Sequence, residues 1–485
     1  MHVDLTVPSY AIAAVVAYYA ALFALGARAD ARPPTRGPTP CFVLLVPARN
    51  EELVIAATIA GLTGTSYPGE WRVLVMNDAS RDATGDVARA AARADDRVRV
   101  VDRGDAEGGR GKSSVLNHGF GLVSSWVASG DPWLAGALED DVVVGIVDAD
   151  GRLDRDCLTT VAPYFADPAV GTTQVGVRIA NAGRSLLARM QDMEFVAFTW
   201  LVQVARDRIG SSGLGGNGQF VRLTALRSLG GQPWAPHALT EDLDLGLRLV
   251  ERGWRTRFCQ HTFVDQQGLE SWRPLLRQRT RWIQGHYQCW RHIPRLLAAR
   301  HVARRTRADL VAYLLLVVTV VLVTFDLAAA LLADTGAISV TDRFLVGVVP
   351  YGLPYRVVSL TLSVLPLAIF TIAYQRHSPH RFRWYAAPAG AALFTLYTYV
   401  WAYATVRAWA RIVTGRRTWT KTPRVALDAA PGTRSRPTAP SSERRSRGGR
   451  GAPRGSTRRR GARRSSPARR VPLRSGGTSR RRSRR

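Results

Sequence analysis

The chain of 485 residues holds only four cysteines, Cys41, Cys157, Cys259 and Cys289, and no two of them form a CxxC pair. That spacing argues against a zinc ribbon or a disulfide framework and reads as reduced, structural thiols. A phosphate-binding P-loop is missing as well. The stretch GDAEGGRGKSS, residues 104–114, offers Gly111-Lys112-Ser113, but the pattern needs glycine five residues before Gly111, and Ala106 stands there. An ATP-driven transporter would need that loop intact. The apolar start, residues 11–27, lacks a basic leader and a clear cleavage site, so a retained membrane helix is expected. Acids are scarce, 37 against 67 lysines and arginines, for a formal net charge of +30. Of that charge +19 lies in residues 424–485, where 21 arginines face only Asp428 and Glu443. This Arg/Ser/Gly/Pro stretch cannot bury a core. It also lacks the interleaved aromatics of a base-stacking surface, so nucleic acid is not the expected partner. Anionic membrane lipids suit it better, and a solvated extension without a partner is the other open reading.

After a Pro-rich linker at 31–40 the periodicity changes. CFVLLVPARN, WRVLVMNDAS and RVRVVDR are short apolar runs, and EELVIAATIAGL and DATGDVARAAARA between them are helical. Strands alternating with helices predict an α/β, Rossmann-like domain with a mostly parallel sheet. The loop at 104–111 follows the third strand and leads into a helix over about 113–129. A fourth strand, DVVVGIVDAD, ends in two acids. Open α/β sheets bind ligands beyond the carboxyl ends of their strands, so Asn77-Asp78, Lys112, Asp148 and Asp150 are expected to converge on one crevice.

From 184 to about 305 the sequence reads as α-rich, with a glycine loop GLGGNGQF at 213–220. Two basic amphipathic stretches, SWRPLLRQRTRW and CWRHIPRLLAARHVARR, suit a membrane surface. Apolar segments follow near 310–333, 344–374 and 384–408, the middle one interrupted by Pro350, Pro354, Arg356 and Pro366. If all three cross a membrane, the basic tail ends outside, against the positive-inside preference, and the parity of the crossings stays open. The organisation expected is a transmembrane helix in 1–30, a linker at 31–40, a cytoplasmic α/β domain at 41–270 and interfacial helices at 271–308. A C-terminal transmembrane region at 309–410 and a basic segment at 411–485, disordered from about 430, complete it.

Three constellations carry chemistry. Asp148-Ala149-Asp150 follows a buried strand, where two carboxylates one residue apart can share a divalent metal bound to a diphosphate; a solvated acidic turn would look the same. Thr240-Glu241-Asp242 opens a helix, where Thr can cap and acids meet the positive end of the dipole, or where Asp242 acts as a general base. LLRQRTRWIQG supplies Gln278, Arg281 and Trp282, an arginine for diphosphate oxygens and a flat ring for a sugar, or a headgroup anchor on a basic helix.

The ordered set Pro47-Ala48-Arg49-Asn50-Glu51, Asp78, Gly111-Lys112 with Leu116-Asn117, Asp148-x-Asp150, Thr240-Glu241-Asp242 and QRTRW resembles the membrane-bound family 2 glycosyltransferases, which include cellulose, hyaluronan and poly-N-acetylglucosamine synthases. The similarity covers about residues 41–290, and WTKTPR at 419–424 is a further match. The resemblance implies a glycosyltransferase A-type fold and inverting transfer from a nucleotide sugar, usually a UDP-sugar, with Mg²⁺ or Mn²⁺. It places Ala48, Glu51 and Asp78 on the nucleoside, and Lys112, Asp148, Gln278 and Arg281 on the donor. Asp150 is implied as metal ligand, Asp242 as base and Trp282 as the acceptor-sugar platform. The expected product is a growing polysaccharide made at the plasma membrane by a multi-pass protein with its catalytic domain in the cytoplasm. The alternative is single-step glycosylation of a membrane lipid acceptor.

Overall fold

The computed structural model describes residues 2–27, 37–343 and 368–415. Most of the Pro-rich linker and of the interrupted apolar segment, the basic tail and WTKTPR lie outside the described residues.

An eight-stranded sheet organises the chain from Cys41 onward. Its order is Val98–Arg103, Trp71–Asp78, Cys41–Ala48, Val142–Ile146, Gln219–Arg222, Val170–Ile179, Arg255–Gln266 and Arg152–Leu153. The first four strands are mutually parallel. Gln219–Arg222 runs antiparallel to both of its neighbours, Val170–Ile179 and Arg255–Gln266 pair in parallel, and Arg152–Leu153 closes the edge antiparallel. The fold is thus the α/β, mostly parallel arrangement expected from the alternating pattern. Phe42 to Val46 are completely buried without alternation, because helices cover both faces of the parallel strands. Leu44 and Val46 pack on Ile55, Ile59 and Leu62, while Leu45 and Met76 pack on Val115, Leu116 and Phe120.

Strand order positions the site. From Cys41–Ala48 the chain steps outward twice and then returns to place Val142–Ile146 on the other side of the starting strand. That reversal opens a crevice at the carboxyl ends of these two strands, where Ala48 and the Asp148-x-Asp150 turn lie.

The region expected to be α-rich contributes two sheet strands that periodicity does not announce, Gln219–Arg222 and Arg255–Gln266. Val170–Ile179, just before it, is a third. Thr172, Thr173 and Gln174 are fully or nearly fully buried in that strand, so its sequence carries polar residues where a core strand usually carries aliphatic ones. Thr172 and Gln174 satisfy themselves on the backbone carbonyls of Phe220 and Asn217.

Around this sheet stand long helices. Among the described residues one helix, Thr6–Gly26, is long and apolar enough to cross a membrane. Helices Arg304–Asp334 and Ala387–Val413 stand where two further spans are expected, and both carry exposed apolar side chains, among them Leu315, Phe325, Val406 and Trp409. The chain start is tied to the stretch that follows Arg304–Asp334. His2–Asp4 pairs in parallel with Ser339–Thr341, and the Ser9 hydroxyl donates to Asp342 at 2.6 Å.

Candidate active site

The loop at 104–111 is pinned from beneath. Asp78, at the end of its strand and buried, accepts hydrogen bonds from the Arg103 guanidinium and from the Gly109 N–H, the latter at 3.1 Å. Arg103 also donates to the Glu107 carbonyl and the Ser114 hydroxyl, so it ties the strand, the loop and the following helix together. Gly109 has φ +74°, and a side chain there would strike the Arg49 guanidinium. Glu51 is buried beside this corner, its N–H donating to Thr84 Oγ1 at 2.7 Å, and Ala48 ends the central strand with 1 % exposure.

Helix Lys112–Ser129 starts where this loop ends, and its first residue turns into the crevice. Lys112 Nζ donates to Asp148 Oδ1 at 2.5 Å and to the Gly216 carbonyl at 2.8 Å, with Glu241 Oε1 at 3.7 Å. Burial works against its charge, but Asp148, Glu241 and Asp242 more than offset that and hold the ammonium above its ordinary pKa. Gly216, with φ +73°, is the close neighbour of both Asp242 and Lys112. A Cβ there would lie 2.9 Å from Asp242 Oδ2 and 3.7 Å from Lys112 Nζ. Next to it, the Asn217 side-chain oxygen accepts from the Asp148 N–H at 3.1 Å. The glycine loop at 213–220 is therefore a wall of the site, a role its sequence alone did not assign.

Asp242 sits in the first turn of helix Glu241–Glu251. Thr240 makes no side-chain cap there, so the capping reading of this triplet does not hold. Burial and the adjacent Glu241 push the Asp242 carboxyl up to about 7, while Lys112 and Arg281 pull it down. Arg281 comes from helix Trp272–Gln288, and its guanidinium donates to the Leu239 carbonyl at 2.8 Å. One turn on, Gly285 lets that helix pass against the backbone of Thr240: a Cβ would lie 2.8 Å from the Thr240 nitrogen. That close approach sets the helix of Arg281 against the segment that leads into Asp242.

Gln278 and Trp282 are placed differently. The Gln278 side-chain oxygen accepts from Arg279 at 2.8 Å. Trp282 packs edge-on against Phe195 and beside Trp401, and the Arg279 guanidinium covers one face of its ring at 4.1 Å. Among the described residues no contact joins either one to the Lys112, Asp148 and Asp242 group. Arg279, fully buried, donates to Glu194 Oε2 at 2.8 Å, and the Tyr397 hydroxyl donates to the same oxygen.

Asp150 is buried, and its Oδ2 accepts from the Gln267 N–H at 2.9 Å. Among the described residues no group of three or more His, Cys, Asp or Glu is placed to hold a metal. The donor chemistry nevertheless fits a hard divalent cation. Asp148 and Asp150 offer carboxylate oxygens from one strand end, and Mg²⁺ is habitually held by one or two carboxylates plus substrate phosphate oxygens.

The family model of the glycosyltransferase-like family 2 matches residues 38–285. A β-monoglucosyldiacylglycerol synthase of Synechocystis is 32% identical over 283 residues, covering 58% of this chain and 54% of that protein. A probable glycosyltransferase of Bacillus subtilis, YdaM, is 30% identical over 246 residues, covering 50% of this chain and 54% of its own. The chain thus spans about half the length of the curated relatives it matches. In shape it resembles the mannosyltransferase PcManGT of Pyrobaculum calidifontis, solved with GDP-Man and Mn²⁺, at a TM-score of 0.55 and 19% identity, over 84% of this chain and 99% of that one. The matched span contains the strand-end acids, the Thr240-Glu241-Asp242 triplet and the QRTRW helix in order, and the chain belongs to the glycosyltransferase-like family 2.

Proposed function

We propose that the protein transfers a single sugar, with inversion, from a nucleoside diphosphate donor of the UDP-sugar type to the hydroxyl of a membrane lipid of the diacylglycerol class. The observation that carries the transfer chemistry is the meeting of Lys112, Asp148 and Asp242 around Gly216, with the Asp242 carboxyl raised to about 7. A general base works best when its pKa lies near the operating pH. Asp242 takes the acceptor's hydroxyl proton as that oxygen attacks the anomeric carbon. The bond from the anomeric carbon to the diphosphate oxygen breaks, and its electron pair leaves with the nucleoside diphosphate. Lys112 and Arg281, both of which act on the Asp242 charge, would offset the charge growing on that leaving group. A Mg²⁺ or Mn²⁺ ion held by Asp150 and the donor's own oxygens would supply further neutralisation. Ala48, Glu51 and Asp78 bound the end of the crevice assigned to the nucleoside.

The lipid acceptor is preferred over the polysaccharide expected from sequence because the Synechocystis relative is named for monoglucosyldiacylglycerol. We place the chain in the cell membrane as a multi-pass protein with the catalytic domain in the cytoplasm. Support comes from the apolar Thr6–Gly26 helix and the exposed apolar faces of Arg304–Asp334 and Ala387–Val413. The test is incubation of the purified protein with a panel of nucleotide sugars, Mg²⁺ or Mn²⁺ and diacylglycerol in mixed micelles, with products read by mass spectrometry. A lipid carrying one hexose is expected. A ladder of growing saccharide would restore the polymer reading, and no released nucleoside diphosphate with any donor would sink both.

A further inference from the structure

The helix that carries Asp242 has a second charged face. Two residues along a helix turn the side chain by about 200°, so Asp244 points away from the crevice, and Arg248 and Glu251 share its side. Asp244 is 1% exposed and accepts from Arg291 and from His292 Nε2, the latter at 2.8 Å. His292, equally buried, meets Glu251 Oε1 through Nδ1 at 2.7 Å. Burial disfavours its charge, but hydrogen bonds to Asp244 and Glu251 prevail and hold the imidazole above its ordinary pKa.

Beside this knot opens a cavity of 440 Å³. Arg248, Arg291, His292 and Arg295 line it on one side, and the turn at 229–236 lines the other. Arg248 is fixed by donating to the carbonyls of Leu229, Gln232 and Pro233. Burial lowers its pKa; Asp244 and Glu251 work against that, while the like charges of Arg291 and Arg252 add to it. The two carboxylates near these cations, Asp244 and Glu251, are already bound by Arg291 and His292, and among the described residues Arg295 makes no ion pair. The wall therefore holds more positive charge than its own acids neutralise. Guanidinium groups converging on one space match the oxygens of a phosphate. The cavity also borders the basic segment at 289–305, which carries exposed Leu297 on the short helix Ile293–Ala298 and leads into the Arg304–Asp334 helix.

We propose that this cavity, on the opposite face of the catalytic helix from Asp242, is a phosphate-binding site that takes either a lipid headgroup phosphate or free phosphate. An occupant would brace Arg291 and His292, and through Asp244 the helix that carries the base.

The test is arginine labelling by phenylglyoxal, read residue by residue by mass spectrometry on the full-length wild-type protein, a readout that needs no turnover and so stands apart from the proposed reaction. Labelling is compared in detergent with and without inorganic phosphate, and in nanodiscs of phosphatidylcholine with and without phosphatidylglycerol. One contact between a basic residue and an anionic surface corresponds to about a fivefold effect, so labelling of Arg291 and Arg295 should slow by at least about that factor. Exposed Arg300, on the same segment but outside the cavity, should be unaffected. Protection by inorganic phosphate identifies a free anion, and protection only with phosphatidylglycerol identifies the headgroup. Arg295→Gln should weaken the protection of Arg291 by about fivefold. Equal slowing at Arg300 and Arg295, or no slowing with any phosphate source, would overturn the proposal.

Discussion

The two halves of the site are assembled by different physics. In residues 41–150 every site group stands at or just beyond a strand end or at a helix start, and its shortest ion pairs are close in sequence, while contacts to backbone, from Lys112 to the Gly216 carbonyl and from the Gln267 N–H to Asp150, reach 104 and 117 residues. Asp78 meets Arg103 25 residues on, and Lys112 meets Asp148 36 residues on. In the helical half the anchoring pairs span far more chain. Arg206 reaches Asp309 103 residues away, Arg279 reaches Glu194 at 85, and Tyr397 reaches Glu194 at 203. A sheet delivers its ligands by topology, whereas packed helices need buried charge pairs to fix how each is rotated against the next. The first half should therefore fail in chemistry when altered, and the second in stability.

Asp242, where the halves meet, gives the largest effect. Asp242→Asn should lower kcat by about 10²–10⁴-fold, the range for a lost general base. The same change should stabilise the protein. A carboxyl raised to about 7 binds its proton more readily folded than unfolded, so its stabilising contribution is complete near pH 4 and fades as pH climbs through 7. Thermal unfolding in detergent should show Asn at 242 ahead of wild type at pH 8 and level with it at pH 4. A variant as active as the parent, or no more stable at pH 8, would count against Asp242 as the raised base.

The helical half should break at Arg279. Removing one partner of a buried pair leaves the other charge uncompensated, so Arg279→Met or Glu194→Gln should cost about 3–5 kcal/mol. The Arg99–Asp131 pair at the sheet edge, whose side chains are 36% and 20% exposed, should cost only about 0.2–1 kcal/mol when broken. Equal costs for the two pairs would erase the contrast drawn above.

That contrast also explains what could be read in advance. The parallel strands, the helix after the loop at 104–111, and Asp78, Lys112 and Asp148 at strand ends or a helix start were legible because a period of two or 3.6 and an element terminus are local features. Strand Val170–Ile179 was not, since the buried side chains of Thr172 and Gln174 are satisfied by the carbonyls of Phe220 and Asn217, 48 and 43 residues on. Gly216 and Gly285 were present in the sequence, but nothing local says that one skirts Asp242 and the other skirts Thr240. QRTRW was recognisable as a motif, yet only the structure separates Arg281, which donates to the Leu239 carbonyl just before the Asp242 helix, from Trp282, which packs with Phe195 and Trp401.

The pH profile sharpens the comparison without destroying the enzyme. The acid limb of kcat/KM should lie near pH 7, because the proposed base, Asp242, would have to be ionised in the free enzyme. Glu241→Gln removes a like charge and should move the limb to lower pH. Arg281→Gln removes a favourable charge and should move it to higher pH. Shifts of the same sign, or none, would separate the limb from Asp242.

The smallest effect on turnover tests whether the halves are joined anywhere besides the site. Asn117, one turn into the helix that Lys112 begins, donates to the Trp234 carbonyl at 2.7 Å and accepts from the Trp234 N–H at 3.0 Å. Trp234 is completely buried, and its turn leads into the helix that carries Asp242. Each such hydrogen bond is worth about 0.5–1.5 kcal/mol net, so Asn117→Ala should destabilise by about 1–3 kcal/mol and cost less turnover than any change at Asp242. Asn117→Asp is the sharper variant. It keeps the acceptor for the Trp234 N–H but sets a carboxylate against the Trp234 carbonyl, so it should be no better than alanine despite its matching shape. If aspartate rescues the alanine loss, the donor bond to the carbonyl is idle, and the turn before Asp242 is held by its own packing rather than by the strand half.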